Sequence, residues 1–215
     1  MFISQFAKRV SALCGLLLSL LSTAALADEA ALYGPSAPKG SAFVRSYNAG
    51  SENLDLSLGS LNFKDIAAKG SSDFKFLPAG SYSASTAGQS LPVKLVADQY
   101  YTLVRLPTGA LSLVDEPAFK NKQKSLLRLQ NLSDTPLTLK TADGKTEVIK
   151  PVAAKARDER EINPVKVRLA LFAGEQKVSD LQPLALERGE VVCLYVTGSA
   201  DKFSPVWVKR PLAAD

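Results

Sequence analysis

The residue types that most often perform catalysis are sparse in this chain. Its 215 residues contain no histidine, and the two cysteines are Cys14 and Cys193. A Ser-His-Asp triad, a Cys-His pair and any histidine-ligated metal site are therefore excluded. A serine nucleophile would need a lysine base or an unusual arrangement. The composition thus favours a function outside these enzyme classes.

The remaining motifs with possible chemistry are weak. Carboxylates cluster at Asp115–Glu116 and Asp158–Glu161, but adjacent acids on a strand point to opposite faces, so we expect solvated edges rather than a shared acid-base site. Gly144–Thr146 resembles the end of a phosphate loop, but Leu139 stands where that motif needs glycine. We predict no catalytic residue, no metal site and no cofactor.

Three lysines provide a candidate contact surface. Lys120, Lys122 and Lys124 alternate within Ala118–Ser125. An extended segment would place all three ammonium groups on one side, where they could meet a polyanion or an acidic protein face. A solvated linker is the alternative interpretation.

Four further residues are candidates for a structural or a binding role. Arg45 and Arg128 occupy equivalent positions of an internal repeat described below, which indicates a shared structural role, such as binding a loop carboxylate, before any ligand role. Trp207 could stack on a sugar ring or a partner protein, with core burial as the alternative. Cys193 lies in an apolar strand, so we expect a buried, inert thiol.

The first 27 residues have the layout of a secretory signal peptide. Lys8 and Arg9 precede the apolar run Val10–Leu21, and Ala25–Ala27 provides a small-residue cleavage site before Asp28. The apolar run is shorter than the roughly 20 residues of a membrane anchor. Cleavage would lower the formal charge from +5 to +3, leave Cys193 as the sole cysteine and leave no transmembrane segment. We predict a periplasmic protein without a nucleic-acid partner.

The sequence of the mature chain predicts short strands separated by turns. Asp143-Gly144 is the strongest hairpin signal and favours a type I′ turn. No segment shows a sustained helical period, although Asp65–Lys69 and Val178–Leu184 could each form one or two helical turns. The spacing predicts an all-β protein built from sandwiches or small barrels.

The two halves of the chain resemble each other. Phe43–Asn48, followed by Leu54 and Leu56, aligns with Leu126–Asn131, followed by Leu137 and Leu139, at an offset of 83 residues. Three further blocks keep the same order: Ile66–Lys69 with Val152–Lys155, Tyr100/Thr102/Val104 with Val192/Leu194/Val196, and Leu113–Pro117 with Trp207–Pro211. We predict two small β-sandwich-like domains related by internal duplication, 28–118 and 126–215, joined by a lysine-rich linker, 119–125. A strand-turn rhythm common to all-β chains is the alternative.

Several longer blocks carry a family resemblance: Ala31–Pro35, Gly70–Phe74, Phe119–Lys124, Leu129–Asp134 and Ser204–Pro211. From Asp28 to its C-terminus the chain resembles the AlgF family of periplasmic alginate O-acetylation proteins. The resemblance implies two β-sandwich-like domains and an accessory role in adding acetyl groups to mannuronate residues of alginate. It implies membrane-bound and periplasmic acetyltransferase subunits as partners, and no catalytic motif is carried over.

Three functional hypotheses follow. The first is a non-catalytic adaptor that docks acetyltransferase subunits. The second is a transient acetyl carrier that uses a serine, a lysine or Cys193. The third is an alginate-binding module in which the linker lysines, Arg45 or Arg128 meet the carboxylates of the polymer; its binding should weaken with salt.

Overall fold

Alternating apolar positions form strands throughout the part of the chain that the structure describes. A computed structural model describes residues 37–199 and 202–210, and these contain β-strands but no helix, so none that could cross a bilayer. The predicted signal peptide, 1–27, lies outside the described residues. The strands are β1 (Ser41–Asn48), β2 (Leu54–Leu58), β3 (Leu61–Ile66), β4 (Lys75–Pro78), β5 (Gly80–Thr86), β6 (Gln89–Leu95), β7 (Tyr100–Arg105), β8 (Leu111–Glu116), β9 (Ser125–Asn131), β10 (Leu137–Thr141), β11 (Glu147–Val152), β12 (Arg157–Ile162), β13 (Lys166–Val167), β14 (Leu169–Ala173), β15 (Gln176–Asp180), β16 (Leu184–Ala185), β17 (Val191–Ser199) and β18 (Lys202–Arg210).

Strands β1–β8 form the first domain as two four-stranded sheets. The first inner sheet has the order β4-β1-β7-β8, and the first outer sheet has the order β3-β2-β5-β6. Between them lies an apolar core to which every second residue of a strand contributes, as Val44 does from β1 and Leu56 and Leu58 do from β2.

Strands β9–β18 form the second domain on the same plan. The second inner sheet has the order β12-β9-β17-β18, and the second outer sheet has the order β11-β10-β14-β15. Leu127 and Leu129 of the inner sheet pack against Leu137 and Leu139 of the outer sheet. A two-stranded sheet, β13-β16, is added to this domain and has no counterpart among the described strands of the first.

The strand orders show that the domains are a duplicated pair. β1, β4, β7 and β8 correspond in order and direction to β9, β12, β17 and β18, and each inner sheet contains one parallel pair, β1 with β7 and β9 with β17. The fold is therefore all-β, with two sandwich-like domains related by internal duplication, as the sequence predicts.

One detail of the predicted alignment is wrong. Arg45 lies opposite Thr102, and the equivalent Arg128 lies opposite Cys193. Thr102 therefore corresponds to Cys193 and not to Leu194, a shift of one residue. Such a shift exchanges the two faces of a strand, and apolar residues on both faces of β17 hide it from the sequence pattern.

The repeated Asn and Lys residues close equivalent loops. The Asn131 side-chain amide donates to the carbonyls of Thr135 (2.8 Å), Val152 (3.1 Å) and Ala153 (3.0 Å), and Asn48 does the same for Glu52 (2.6 Å) and Ile66 (2.9 Å).

Lys69 and Lys155 have positive φ angles of 62° and 58°. Each donates its ammonium group to the carbonyl that follows the corresponding asparagine, Lys69 to Ala49 and Lys155 to Leu132. These contacts explain why the two Ala-Ala-Lys blocks align.

The two inner sheets face each other. Tyr47, Ala49, Val104 and Val114 of the first domain form one buried cluster with the second-domain residues Leu132, Cys193, Tyr195 and Val208. The order of layers is thus outer, inner, inner, outer, and β1, β9 and β17 are buried on both faces.

Two local predictions need correction. Asp65–Lys69 and Val178–Leu184 contain no helical turn: their first residues belong to β3 and β15. The hairpin at Asp143-Gly144 is confirmed by the pairing of β10 with β11, but its turn is not type I′, since Gly144 has a positive φ (74°) and Asp143 does not. The Asp143 carboxylate instead accepts hydrogen bonds from the Thr141 hydroxyl and the Lys145 amide, which closes the turn.

We predict that N131A lowers the free energy of unfolding by about 3 kcal/mol, because it leaves buried carbonyl groups without donors. Urea unfolding followed by tryptophan fluorescence measures the loss. N62A, at an exposed position of β3, is the control and should change stability by less than about 0.5 kcal/mol. Equal effects of the two substitutions would contradict the role assigned to Asn131.

Candidate functional site between the two inner sheets

A buried carboxylate, Glu116, occupies the centre of the contact between the inner sheets. It ends β8, and its side chain is 0% exposed. Its Oε1 accepts hydrogen bonds from Arg45 Nη2 (2.7 Å), from Tyr195 OH (2.7 Å) and from the hydroxyl of Thr102. Donors from both domains therefore converge on one oxygen.

These donors decide the ionisation state of Glu116. Burial raises the pKa of this carboxyl, but the charge of Arg45 and the hydrogen bonds from Thr102, Tyr195 and Arg45 together outweigh burial, and the pKa is lowered overall. Burial also opposes the charge on Arg45, and here the negative charge of Glu116 raises the pKa of the guanidinium overall. The two groups form a stable ion pair.

Arg45 connects the two domains by itself. Its Nε donates to Thr102 Oγ1 at 3.0 Å within the first domain, and its Nη1 donates to the carbonyl of Lys209 at 3.1 Å in the second. The guanidinium lies 4.8 Å from the centre of the Phe74 ring, a cation-π contact. Together with the bond from Nη2 to Glu116, each of the three guanidinium nitrogens therefore has an acceptor.

Arg128 is the duplicate of Arg45 and makes the reciprocal contacts. Its Nε binds Glu159 Oε2 at 2.7 Å, and its Nη2 donates to the carbonyl of Pro117 in the first domain at 3.3 Å. Its Nη1 lies 3.8 Å from Glu116 Oε2. Glu159 on β12 therefore contacts the guanidinium of Arg128, whereas Thr102 and Phe74 contact that of Arg45.

Aromatic and sulfur groups seal the cluster from water. The rings of Tyr47 and Tyr195 lie 4.9 Å apart, and Cys193 packs beside them at 1% exposure. Burial, together with the nearby charge of Glu116, raises the pKa of the Cys193 thiol to about 12. Burial likewise raises the pKa of Tyr47 and of Tyr195. None of these groups is prepared to act as a nucleophile or base near neutral pH.

The cluster is not fully satisfied. Among the buried polar atoms of the described residues that have no hydrogen-bond partner are Glu116 Oε2, Arg128 Nη1 and Tyr47 OH. Imperfect pairing of buried charge costs stability, while the few allowed geometries make the contact specific. The hydrogen bonds from Arg45 to the Lys209 carbonyl and from Tyr195 to Glu116 link the two domains.

A groove of about 410 Å³ opens beside the cluster, between β8 and β12. Leu113 and Asp115 line it from the first domain, and Gln130, Lys155 and Arg157 line it from the second. An ion pair between Arg157 Nη1 and Asp115 Oδ2 (2.9 Å) joins its two walls. The described residues bring no three potential metal ligands of the His, Cys, Asp or Glu type together, here or elsewhere.

The structure separates the predicted contact residues into interior and surface groups. Arg45 and Arg128 are 2% and 0% exposed, so they fill the structural role and neither guanidinium reaches the surface. Trp207 is half-buried against the core of the second domain, with its indole nitrogen inaccessible. Cys193 is buried, as predicted.

The linker lysines lie outside the interdomain contact. Lys120 and Lys122 are exposed, whereas Lys124 is half-buried and donates to Asn163 Oδ1 at 2.7 Å. Residues 122–124 form a turn and a bend rather than an extended segment, so strand alternation does not align the three ammonium groups.

Sequence reasoning missed the central group of the cluster. Asp115 and Glu116 were both expected at a solvated edge, which is correct for the exposed Asp115 and wrong for Glu116. The alternation rule places the two acids on opposite faces, but only the second domain, packed on one of those faces, decides which acid is buried.

The matching family model and the curated relatives carry the same family name. A family model described as Alginate O-acetyl transferase AlgF matches residues 15–193. A Pseudomonas aeruginosa protein named Alginate biosynthesis protein AlgF is 65% identical over 202 residues, covering 94% of each chain. A protein of the same name from Azotobacter vinelandii is 60% identical over 191 residues, covering 89% of this chain and 88% of its own.

Two solved structures match separate parts of the chain. The C-terminal domain of AlgF from P. aeruginosa is 68% identical and covers 41% of this chain and 100% of its own, with a TM-score of 0.39. The N-terminal domain of the same protein is 57% identical and covers 38% of this chain and 99% of its own, with a TM-score of 0.34.

We predict that E116Q destabilises the protein by about 3–5 kcal/mol at pH 7, since it leaves Arg45 buried without its carboxylate, whereas Arg128 keeps its ion pair with Glu159. A lowered folded-state pKa means that the unfolded carboxyl takes up its proton first as the pH falls. The stabilising contribution is therefore complete above about pH 4.3, the ordinary glutamate value, and is lost as the pH falls further.

Urea unfolding at a series of pH values between 7 and 2.5 measures both effects. E116Q should lose part of the acid dependence seen in the wild-type protein. E52Q, at an exposed glutamate, should keep it. An E116Q variant as stable as E52Q at pH 7 would contradict the assignment.

We also predict that Cys193 does not react with a thiol reagent in the native state. The experiment uses a C14S chain, in which Cys193 is the sole thiol. Treatment with a chromogenic disulfide at pH 8 should give no colour until denaturant is added, when one thiol per chain should react. Rapid reaction of the folded protein would show that the inner sheets separate readily.

Proposed function

This chain belongs to the AlgF family, and from that premise we propose that it is a periplasmic accessory protein of the alginate O-acetylation machinery. In this proposal it docks the membrane-bound and periplasmic acetyltransferase subunits and does not itself transfer the acetyl group. A cleavable signal peptide at residues 1–27 would deliver it to the periplasm.

The observation that carries this proposal is the burial of Glu116, Cys193 and Tyr195, whose pKa values are shifted. An acyltransferase needs a nucleophile and a base beside a cavity that admits the substrate. The sequence has no histidine. Glu116, Cys193 and Tyr195 are at most 1% exposed and serve one another as packing and hydrogen-bond partners. Their contacts hold the two domains in one relative orientation. A fixed orientation suits an adaptor, which has to position its partners.

The outer faces of the two domains favour docking of two different partners. The first outer sheet presents small hydroxyl groups, with Ser57 bonded to Ser85 at 2.8 Å and Ser83 to Ser90 at 2.7 Å. The second outer sheet instead carries an exposed ion pair on β15, Lys177 with Asp180 at 2.9 Å. A duplicated frame with two chemically distinct outer faces suits a protein that joins unlike subunits.

The structure weakens the other two hypotheses. An acetyl carrier could not use Cys193, because its thiol is buried and its pKa is raised to about 12. An alginate-binding module could not use Arg45 or Arg128, because neither reaches the surface. Exposed serines and the linker lysines remain for these functions. Among the described residues, exposed Ser83 is bonded to another serine, Ser90, at 2.7 Å rather than to a base.

We predict that the full chain with a C-terminal affinity tag co-purifies with both kinds of acetyltransferase subunit from alginate-producing cells. Immunodetection of each subunit after mild detergent extraction measures the association. A tagged periplasmic protein unrelated to alginate is the control. Recovery of neither subunit would refute the adaptor function, and a labile acetyl adduct in the intact mass would instead support the carrier.

A further inference from the structure

The second domain carries one element that the first domain lacks. If the second domain followed the first exactly in strand order, β12 would connect directly to β14, as β4 connects to β5. Instead β13 and β16 form an extra sheet in which Lys166 lies opposite Ala185 and Val167 lies opposite Leu184. The Leu186 amide donates to the carbonyl of Val165 at 3.0 Å and fixes the start of this element. The insertion is thus an ordered part of the fold.

This sheet borders a surface groove of about 370 Å³, which we call the β13–β16 groove. Its floor is apolar, with Leu184 buried and Val167 half-buried. Pro183 and Ala185 extend the apolar lining at the surface. Beside it lies Val165, a large apolar residue that is 43% exposed.

The rim of the groove is positively charged. Lys166 and Arg168 both line it, both are exposed, and no acidic residue lines it. Within residues 37–199 and 202–210, neither side chain forms a hydrogen bond or an ion pair. The nearby Lys209, by contrast, is paired with Glu190 at 2.9 Å. The groove therefore combines an apolar floor with two uncompensated positive charges.

We propose that the β13–β16 groove docks an extended peptide segment that carries an acidic side chain next to an apolar one. The apolar side chain would cover Val165 and the floor formed by Val167 and Leu184. The carboxylate would pair with Lys166 and Arg168, and this charge complementarity would both steer the encounter and fix the register of the segment. This proposal rests on the proposed function, so the segment belongs to an acetyltransferase subunit.

The test compares two double charge reversals that change net charge equally. K166E/R168E reverses the rim of the groove. K64E/K94E reverses two exposed lysines on the first outer sheet and is the matched control. All four residues are exposed, so both variants should fold, which thermal unfolding verifies. Binding of each full chain to the purified periplasmic acetyltransferase subunit and to the detergent-solubilised membrane subunit is measured calorimetrically at low and at high salt.

We expect the dissociation constant for one of the two subunits to rise about tenfold or more in K166E/R168E and to lose most of its salt dependence. For that same subunit, the control should stay within about twofold of the wild type, because the first outer sheet is offered to the other partner. A photo-crosslinking residue at position 165 should capture that same subunit, whereas one at Val96, which is 52% exposed in the first domain, should not.

Two results would overturn the proposal in distinguishable ways. If the wild-type chain binds a subunit and K166E/R168E binds it equally well, the groove is not the docking site, although the adaptor function stands. If the wild-type chain binds neither subunit, the adaptor function fails, and the groove proposal fails with it.

Discussion

The burial of Glu116 between the two inner sheets is the constraint on which the arrangement of this protein depends. A carboxylate placed there would be costly unless donors surrounded it, and those donors come from both domains. Arg45 and Thr102 hold it from its own domain, and Tyr195 holds it from the other. Because Glu116 ends the last strand of the first domain, its anchoring also places the start of the linker and, through it, the second domain.

The duplication explains how such a contact is built. Both domains place an arginine at the same position of the central inner strand, and each guanidinium reaches a main-chain carbonyl of the other domain: Arg45 that of Lys209, and Arg128 that of Pro117. The neighbouring partners then differ, with Glu159 of β12 beside Arg128 and the ring of Phe74, just before β4, beside Arg45. The inner sheets thus retain near-symmetric contacts, whereas the outer sheets and the β13–β16 insertion differ and provide distinct surfaces.

The sequence pattern predicts the apolar strands well and the polar strands poorly. Strands such as β7 and β17 are evident from their β-branched and apolar residues. β5 (Gly80–Thr86) and β12 (Arg157–Ile162) are not, since one is rich in serine and the other is almost wholly charged. Their conformation depends on pairing with other strands: β12 pairs with β9, at least 27 residues earlier in the chain, and β5 pairs with β2, at least 26 residues earlier, as well as with the adjacent β6. The composition of β5 and β12 themselves therefore carries little of the signal. Local pattern is also insufficient for Asp65–Lys69 and Val178–Leu184, where it allows helical turns that the structure does not contain.

The all-β class, the duplication and the exclusion of histidine-dependent chemistry follow from the linear sequence, because strand alternation, repeat spacing and residue counts can be read along the chain. Which polar groups lie inside depends instead on how the two domains pack. Asp115 and Glu116 are adjacent and chemically alike, yet one is exposed and the other is wholly buried. The physical reason is that a sheet has two faces, and the second face of the inner sheet becomes interior only when the other domain packs on it.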